Sequence, residues 1–201
     1  MARIIAGWSL AMVVFVTALL AGAGGITIGY SRWYNDRPRP FAVRELVVTH
    51  HAAEMAKGGT VVIGDSLVER QRLDQLCGPT LNAGVGSATT GDIIPMMRHI
   101  ASVMEPRLVI TEIGTNDRAR GIPTSTFLRH YRTLLDETRG ARVLIIGIPN
   151  DDEWNTQLQA LARETRATYI PPIDTDGHTT DGVHFDAVAA GQWKDAVRPH
   201  C

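Results

Sequence analysis

The sequence has no excess of charge of either sign, because 20 basic and 21 acidic residues leave a formal net charge of −1 at pH 7. Proteins that bind nucleic acid normally carry a basic excess or a basic stripe along the phosphate path. The balance therefore argues against nucleic acid as a partner. A hydrophobic content of 44% over 201 residues, without repeats or low-complexity tracts, is typical of one globular domain.

Metal-binding sequence patterns are also missing. The seven histidines form no His-x-x-x-His pair, and the two cysteines lie too far apart for a Cys-x-x-Cys motif. Segment 174–177, Asp-Thr-Asp-Gly, resembles the start of a calcium loop but lacks the remaining acidic ligands. No phosphate-binding loop for a flavin follows the first predicted strand. We therefore expect neither a metal nor a cofactor.

Charged side chains are absent from residues 4–30, where Ala, Val, Leu, Ile and Gly dominate. Because a bilayer-spanning helix needs about 20 apolar residues, residues 1–30 are predicted to form a transmembrane anchor. They match a secretory signal peptide as well, with Arg3 as the basic residue and Ala21-Gly22-Ala23 as a cleavage site. A buried core helix fits less well, since the stretch has no polar face.

Residues 31–40, rich in Arg, Asp and Pro, predict a linker to a domain formed by residues 41–201. Basic residues near this linker, counted alone, favour a cytoplasmic domain. Cys77 and Cys201 favour the opposite side, because a disulfide between them needs an oxidising compartment. Two unrelated thiols are the alternative. We expect the disulfide, and an extracytoplasmic domain that is either membrane-anchored or secreted.

Short apolar runs alternate with helical patterns along the predicted domain. The runs that predict strands are Thr60–Ile63, Leu108–Ile113, Val143–Ile148 and Thr168–Ile173. The helical patterns are Phe41–Lys57, Asp92–Met104, Thr124–Arg139, Glu153–Arg166 and Asp186–Val197. This alternation predicts an α/β fold with a parallel sheet covered by helices on both faces. In such folds ligands bind beyond the carboxyl ends of the strands.

Ser66 follows the first predicted strand, in the segment Val61–Leu67. Gly64 allows a tight turn there, and the dipoles at the start of the next helix favour developing negative charge. Ser66 is therefore a candidate nucleophile, although Asp65 and Ser66 are equally suited to capping a helix. The segment is not the Gly-x-Ser-x-Gly elbow of α/β-hydrolases, because Val68 occupies the place of the second glycine.

Asp181 and His184 are close enough in sequence for one turn to hold both side chains. A histidine that accepts a proton from serine needs a carboxylate to fix its tautomer and stabilise the imidazolium. A turn aspartate beside an incidental histidine is the alternative.

Asn116 could donate a hydrogen bond to an oxyanion, or it could be only a turn asparagine. The glycine-rich segment Asn82–Ser87 could also supply donors, or it could be only a flexible loop.

Four segments, taken together and in this order, resemble the sequence blocks of the SGNH hydrolase superfamily, also called GDSL esterases and lipases. They are Val61–Leu67, Asn82–Ser87, Gly114–Asp117 and Asp181–His184. The resemblance extends over residues 60–197. It implies a flavodoxin-like three-layer α/β/α fold with a five-stranded parallel sheet.

The resemblance also implies roles for individual residues. Ser66 would be the nucleophile, His184 the general base and Asp181 its orienting carboxylate. The oxyanion hole would combine the Ser66 N–H, a backbone N–H of the second block and the Asn116 side chain. That block has Ser87 where the family usually has glycine, and a serine is strained there if the site requires a positive φ.

We therefore expect a serine esterase that hydrolyses carboxylic esters through an acyl-enzyme intermediate. Its substrate would be a small acyl ester or an O-acetylated glycan outside the cytoplasm. The alternative is a non-catalytic, envelope glycan-binding module on the same fold. The complete set of Ser, His, Asp and Asn argues against a binding module, which need not keep a nucleophile beside its base.

Overall fold

The computed structural model describes residues 41–201, and a single parallel sheet forms its centre. The strands are β1 Thr60–Gly64, β2 Thr80–Gly84, β3 Leu108–Glu112, β4 Arg142–Ile146 and β5 Thr168–Ile170. Their order in the sheet is β2-β1-β3-β4-β5, and every neighbouring pair is parallel. This confirms the predicted α/β fold with five parallel strands. The strand after β1 lies on one side of it, and the next strand, β3, lies on the other side. The ligand site expected of such a sheet therefore lies at the carboxyl ends of β1 and its two neighbours.

Helices cover both faces of the sheet. They are α1 Ala42–Glu54, α2 Ser66–Glu69, α3 Thr90–Met104, α4 Thr115–Ala119, α5 Thr124–Asp136, α6 Asp152–Thr165 and α7 Ala187–Val197. Buried residues of α1, α3, α5 and α6 pack against one face, which includes Val61 and Ile63 of β1. Val62, between them, points to the other face and packs in a cluster with Trp193 of α7. This alternation produces the three layers.

Strand β2 did not emerge from the apolar pattern of the sequence. Its residues, Thr-Leu-Asn-Ala-Gly, include Asn and Gly, which are depleted in strands, and Ala, which is depleted to a lesser degree. Asn82 is accommodated because its side-chain amide donates to the carbonyls of Val68 and Gln71, at 2.9 and 2.8 Å. Residues 82–84, for which a flexible loop was one of the two interpretations, therefore belong to the sheet.

Strand β5 is shorter than expected, since it ends at Ile170 rather than Ile173. Pro171 and Pro172 follow directly and have no N–H to donate to the neighbouring strand.

The predicted disulfide between Cys77 and Cys201 is present, with a Cα–Cα distance of 5.1 Å. Arg142 holds the same end of the chain, because its Nη2 donates to the carbonyls of His200 and Cys201 at 2.6 and 2.7 Å. The C-terminal residues are thus fixed to the body of the domain by one covalent bond and two hydrogen bonds.

The predicted membrane or signal segment, residues 1–30, and the linker, residues 31–40, lie outside the described residues. Within residues 41–201, none of the helices is both long enough and apolar enough to cross a bilayer.

Candidate active site

The turn from β1 into α2 places Ser66 at the first residue of the helix. Asp65 is the capping residue, because its side chain accepts the Leu67 N–H at 3.0 Å. The Ser66 hydroxyl is therefore not needed as a cap. Glycine is required just before, since a Cβ on Gly64 would lie 2.1 Å from the Glu112 carbonyl oxygen. These two constraints explain the local sequence Gly-Asp-Ser.

A continuous line of hydrogen bonds joins Ser66, His184 and Asp181. Ser66 Oγ lies 2.8 Å from His184 Nε2, and His184 Nδ1 lies 2.7 Å from Asp181 Oδ2. The other oxygen of Asp181 accepts the backbone N–H groups of His184 and Val183, at 2.9 and 3.2 Å. These backbone hydrogen bonds, with the His184 side chain, hold the pKa of Asp181 well below its ordinary value. An ionised Asp181 favours the tautomer with the proton on Nδ1, which leaves Nε2 free to accept the serine proton.

A tight loop before α7 carries Asp181 and His184. The two sides of the loop are joined by a bridge between Thr179 and Phe185 and by the Thr180 N–H, which donates to the His184 carbonyl at 2.8 Å. Gly182 turns the chain with a φ of +85°. The loop is thus held by its own backbone, so that the Asp181 carboxylate lies beside His184 Nδ1 while Nε2 faces Ser66.

The second sequence block passes directly beside Ser66, since a Cβ added to Gly86 would lie 3.9 Å from Ser66 Cβ. Ser87 has a φ of +63°, in the left-handed region. The strain anticipated for a non-glycine residue at this position is therefore present, and costs about 1 kcal/mol.

Asn116 joins the third block to Ala88, the residue that follows the second block. It lies in α4, and its Nδ2 donates to the Ala88 carbonyl at 3.0 Å. Because an amide nitrogen carries two protons, one remains for a ligand. Gly114 precedes the helix with a φ of +137°, and a Cβ there would lie 2.4 Å from Ile148 Cδ1. The structure thus brings Ser66, Ser87, Asn116, Asp181 and His184 to one edge of the sheet.

Three buried carboxyl groups lie behind this edge, and two of them, Glu112 and Asp117, were not found from the sequence. Burial raises the pKa of Asp65 to about 6 and that of Glu112 well above its ordinary value. Burial also raises the pKa of Asp117, whose carboxylate accepts the N–H and hydroxyl of Thr90 at 2.8 and 3.1 Å. Glu112 could have been noticed in the sequence, because it is the one charged residue in the predicted strand Leu108–Ile113.

Three charged side chains around the site also escaped the sequence analysis, because they share no motif. Arg70 Nη1 lies 3.5 Å from Asp181 Oδ2. Glu69 accepts the Gly86 N–H at 2.6 Å, and Arg120 donates to the Ser87 carbonyl at 2.5 Å. Among the described residues, no group of three or more His, Cys, Asp or Glu side chains could hold a metal ion.

Comparison with known families gives one match, to the model of the GDSL-like lipase/acylhydrolase family, over residues 62–196. The matched range contains all five of the residues gathered at the sheet edge. No curated protein is similar enough in sequence to count as a match.

Solved structures share the fold at low sequence identity. A GDSL-like lipase of Bacteroides thetaiotaomicron is 15% identical with a TM-score of 0.68, over 78% of this chain and 96% of that one. A lipase/acylhydrolase of Enterococcus faecalis is 19% identical with a TM-score of 0.61, over 73% and 95%. AlinE4, an SGNH-hydrolase family esterase, is 21% identical with a TM-score of 0.52, over 73% and 96%.

Proposed function

Because the chain belongs to the GDSL-like lipase/acylhydrolase family and is therefore a hydrolase, we propose that it is a serine esterase using Ser66, His184 and Asp181. The observation that carries this proposal is the hydrogen-bonded line from Ser66 Oγ through the imidazole to Asp181, at 2.8 and 2.7 Å. A nucleophile within reach of a base that is itself oriented by a carboxylate is the arrangement needed for acyl transfer.

Acylation begins when Ser66 Oγ attacks the carbonyl carbon of the ester and its proton passes to His184 Nε2. The imidazolium is stabilised by the ionised Asp181, and the carbonyl oxygen becomes an oxyanion. The tetrahedral intermediate collapses as the carbon–oxygen bond to the alcohol breaks. His184 gives its proton to the departing alcohol, and the acyl group remains on Ser66.

Deacylation repeats these steps with water as the nucleophile. His184 accepts a proton from water as the hydroxide attacks the acyl-enzyme, and Ser66 recovers its proton when the acid departs. In both halves the oxyanion would receive hydrogen bonds from the Ser66 N–H, the Ser87 N–H and the Asn116 amide. Loss of one such donor costs about 10²–10³ in kcat in well-studied enzymes.

The proposed substrate is a small acyl ester or an O-acetylated glycan outside the cytoplasm. The Cys77–Cys201 disulfide supports an oxidising compartment, and the uncharged residues 4–30 support a membrane anchor or an export signal. Apart from residues 171–186, which carry Asp181 and His184, no connection between the described helices and strands exceeds about ten residues, which leaves little chain to cover a long lipid. A non-catalytic glycan-binding module is less well supported, because binding alone needs no activated serine.

Labelling with a fluorophosphonate probe tests this function on the full-length protein in detergent. The probe should add its mass to Ser66, as shown by peptide mapping, and the protein should hydrolyse p-nitrophenyl acetate. Both reactions should be lost in Ser66→Ala and His184→Ala, with melting temperatures unchanged. An unlabelled, folded wild-type protein would instead favour the binding module.

A further inference from the structure

The backbone of Ser87 adopts a conformation that serine avoids, and its N–H is a proposed oxyanion donor. Its φ of +63° belongs to the left-handed region, where glycine is favoured and a residue with a Cβ is strained. Ser87 is also exposed, so core packing does not fix it. Because the direction of an N–H depends on the backbone angles beside it, some other interaction has to hold this peptide in place.

Arg120 provides such an interaction from the neighbouring block. It is the capping residue directly after α4, and its Nη2 donates to the Ser87 carbonyl at 2.5 Å. Nη1 of the same guanidinium lies 3.8 Å from Asp92 Oδ2, and Asp92 in turn accepts the Thr89 N–H at 2.9 Å. The guanidinium therefore spans from α4 to the turn that follows Ser87. Hydrogen bonds from charged donors are roughly twice as strong as neutral ones.

The preceding residue is held from the opposite side. Glu69 of α2 accepts the Gly86 N–H at 2.6 Å, and its other oxygen lies 3.5 Å from Arg44 Nε. Arg44 also donates to the Gly84 carbonyl at 2.9 Å. The Glu69 carboxylate thus holds the N–H of the residue before Ser87, and the Arg120 guanidinium holds the carbonyl of Ser87 itself.

We infer that Arg120 is a positioning residue of the oxyanion hole, which keeps Ser87 left-handed so that its N–H points at the developing oxyanion. This inference rests on the proposed esterase function. The charge-assisted hydrogen bond from Arg120 stabilises the left-handed conformation of Ser87, which glycine would adopt without help. Other conformations of Ser87 would lose this hydrogen bond. It contacts the backbone of Ser87 and not the reacting atoms.

Kinetics of the full-length protein with p-nitrophenyl acetate tests this role. Arg120→Met should lower kcat about tenfold and leave KM within about twofold, because an interaction made only in the transition state is weakened. Arg120→Lys keeps a charged donor and should remain within about threefold of wild type. Arg132→Met is the matched control, since Arg132 is 46% exposed against 50% for Arg120 and pairs with Glu164 at 2.9 Å on α6.

Amide hydrogen exchange gives a readout that does not depend on catalysis. In Arg120→Met, the peptide covering residues 84–90 should exchange faster, while the same peptide in Arg132→Met should not change. Melting temperatures should stay within about 2 °C, since an exposed ion pair contributes little to stability.

Three results would overturn the inference. An active wild type with kcat and exchange unaltered in Arg120→Met would remove the positioning role and leave the serine esterase intact. A rise in KM at constant kcat would mean that Arg120 binds substrate instead. If wild type neither hydrolyses esters nor labels on Ser66, the proposed function fails, and the oxyanion role of Arg120 fails with it.

Discussion

Ser66 and His184 are separated by 118 positions in the chain, yet Oγ and Nε2 lie 2.8 Å apart. The first residue follows β1, which lies between β2 and β3 in the sheet, and the second lies in the loop before α7. Both reach the carboxyl edge of the strands because every strand of the sheet is parallel. The geometry of the candidate site is therefore a property of the sheet as a whole, and the following predictions test its separate parts.

Replacement of Asp181 by Asn should lower kcat by about 10³–10⁴, because an amide can donate to Nδ1 and so favours the wrong imidazole tautomer. The backbone N–H groups of Val183 and His184 can still donate to the amide oxygen, so the loop should keep its shape. Steady-state kinetics with p-nitrophenyl acetate measures the loss. Activity within tenfold of wild type would show that His184 does not depend on this carboxylate.

Replacement of Asp65 by Asn should stabilise the folded protein at neutral pH. Burial raises the pKa of Asp65 from 3.8 to about 6, so the unfolded chain releases this proton at lower pH than the folded one. Stability due to this group therefore falls as pH rises from about 4 to 6, and stays low above that range. The expected gain is about 1–3 kcal/mol at pH 7.5 and close to zero at pH 4.

Urea unfolding at both pH values measures this gain. Asp195→Asn is the control, because Asp195 lies on the surface of α7 with its side chain 71% exposed, and the change should be below about 0.5 kcal/mol. A gain from Asp65→Asn that is the same at pH 4 and pH 7.5 would contradict the assignment to burial of the charge.

Removal of the disulfide in Cys77→Ser/Cys201→Ser should lower the free energy of unfolding by about 2–5 kcal/mol. The melting temperature of the oxidised protein should fall accordingly. Reduced wild-type protein should melt at the same temperature as the double variant. The melting temperature of the double variant should not change when reductant is added. Equal stability of all four samples would show that the bond contributes nothing to the fold.

Replacement of Ser87 by Gly should raise stability by about 0.5 kcal/mol, because glycine adopts a φ of +63° without strain but loses more backbone freedom on folding. Ser102→Gly provides the opposite control, since Ser102 lies exposed within α3 and glycine there should cost about 0.5 kcal/mol relative to serine. Destabilisation by Ser87→Gly would mean that the serine side chain makes a compensating contact.

The sequence was enough to predict the residues of the candidate site, but not the contacts that hold them in place. Ser66, Asp181 and His184 stand in local motifs, because each needs a particular turn around it. Strand β2 was missed because Asn82 and Gly84 interrupt its apolar pattern. Arg120 and Glu69 were missed for a different reason, since their partners are backbone groups that lie 33 and 17 positions away in the chain. Such contacts leave no periodic signal, and only the folded chain reveals them.

The disulfide gives the domain the topology of a closed ring with an N-terminal arm that contains α1, β1 and α2. Cys77 and Cys201 enclose a sequence separation of 124, which contains Ser87, Asn116, Asp181 and His184 but not Ser66. A protease that cuts any loop inside the ring therefore leaves the fragments covalently joined. Nicked protein would migrate as one species on a denaturing gel until reductant is added. A cut between Ser66 and Cys77 lies outside the ring, so the fragment that carries Ser66 would separate on the same gel without reductant.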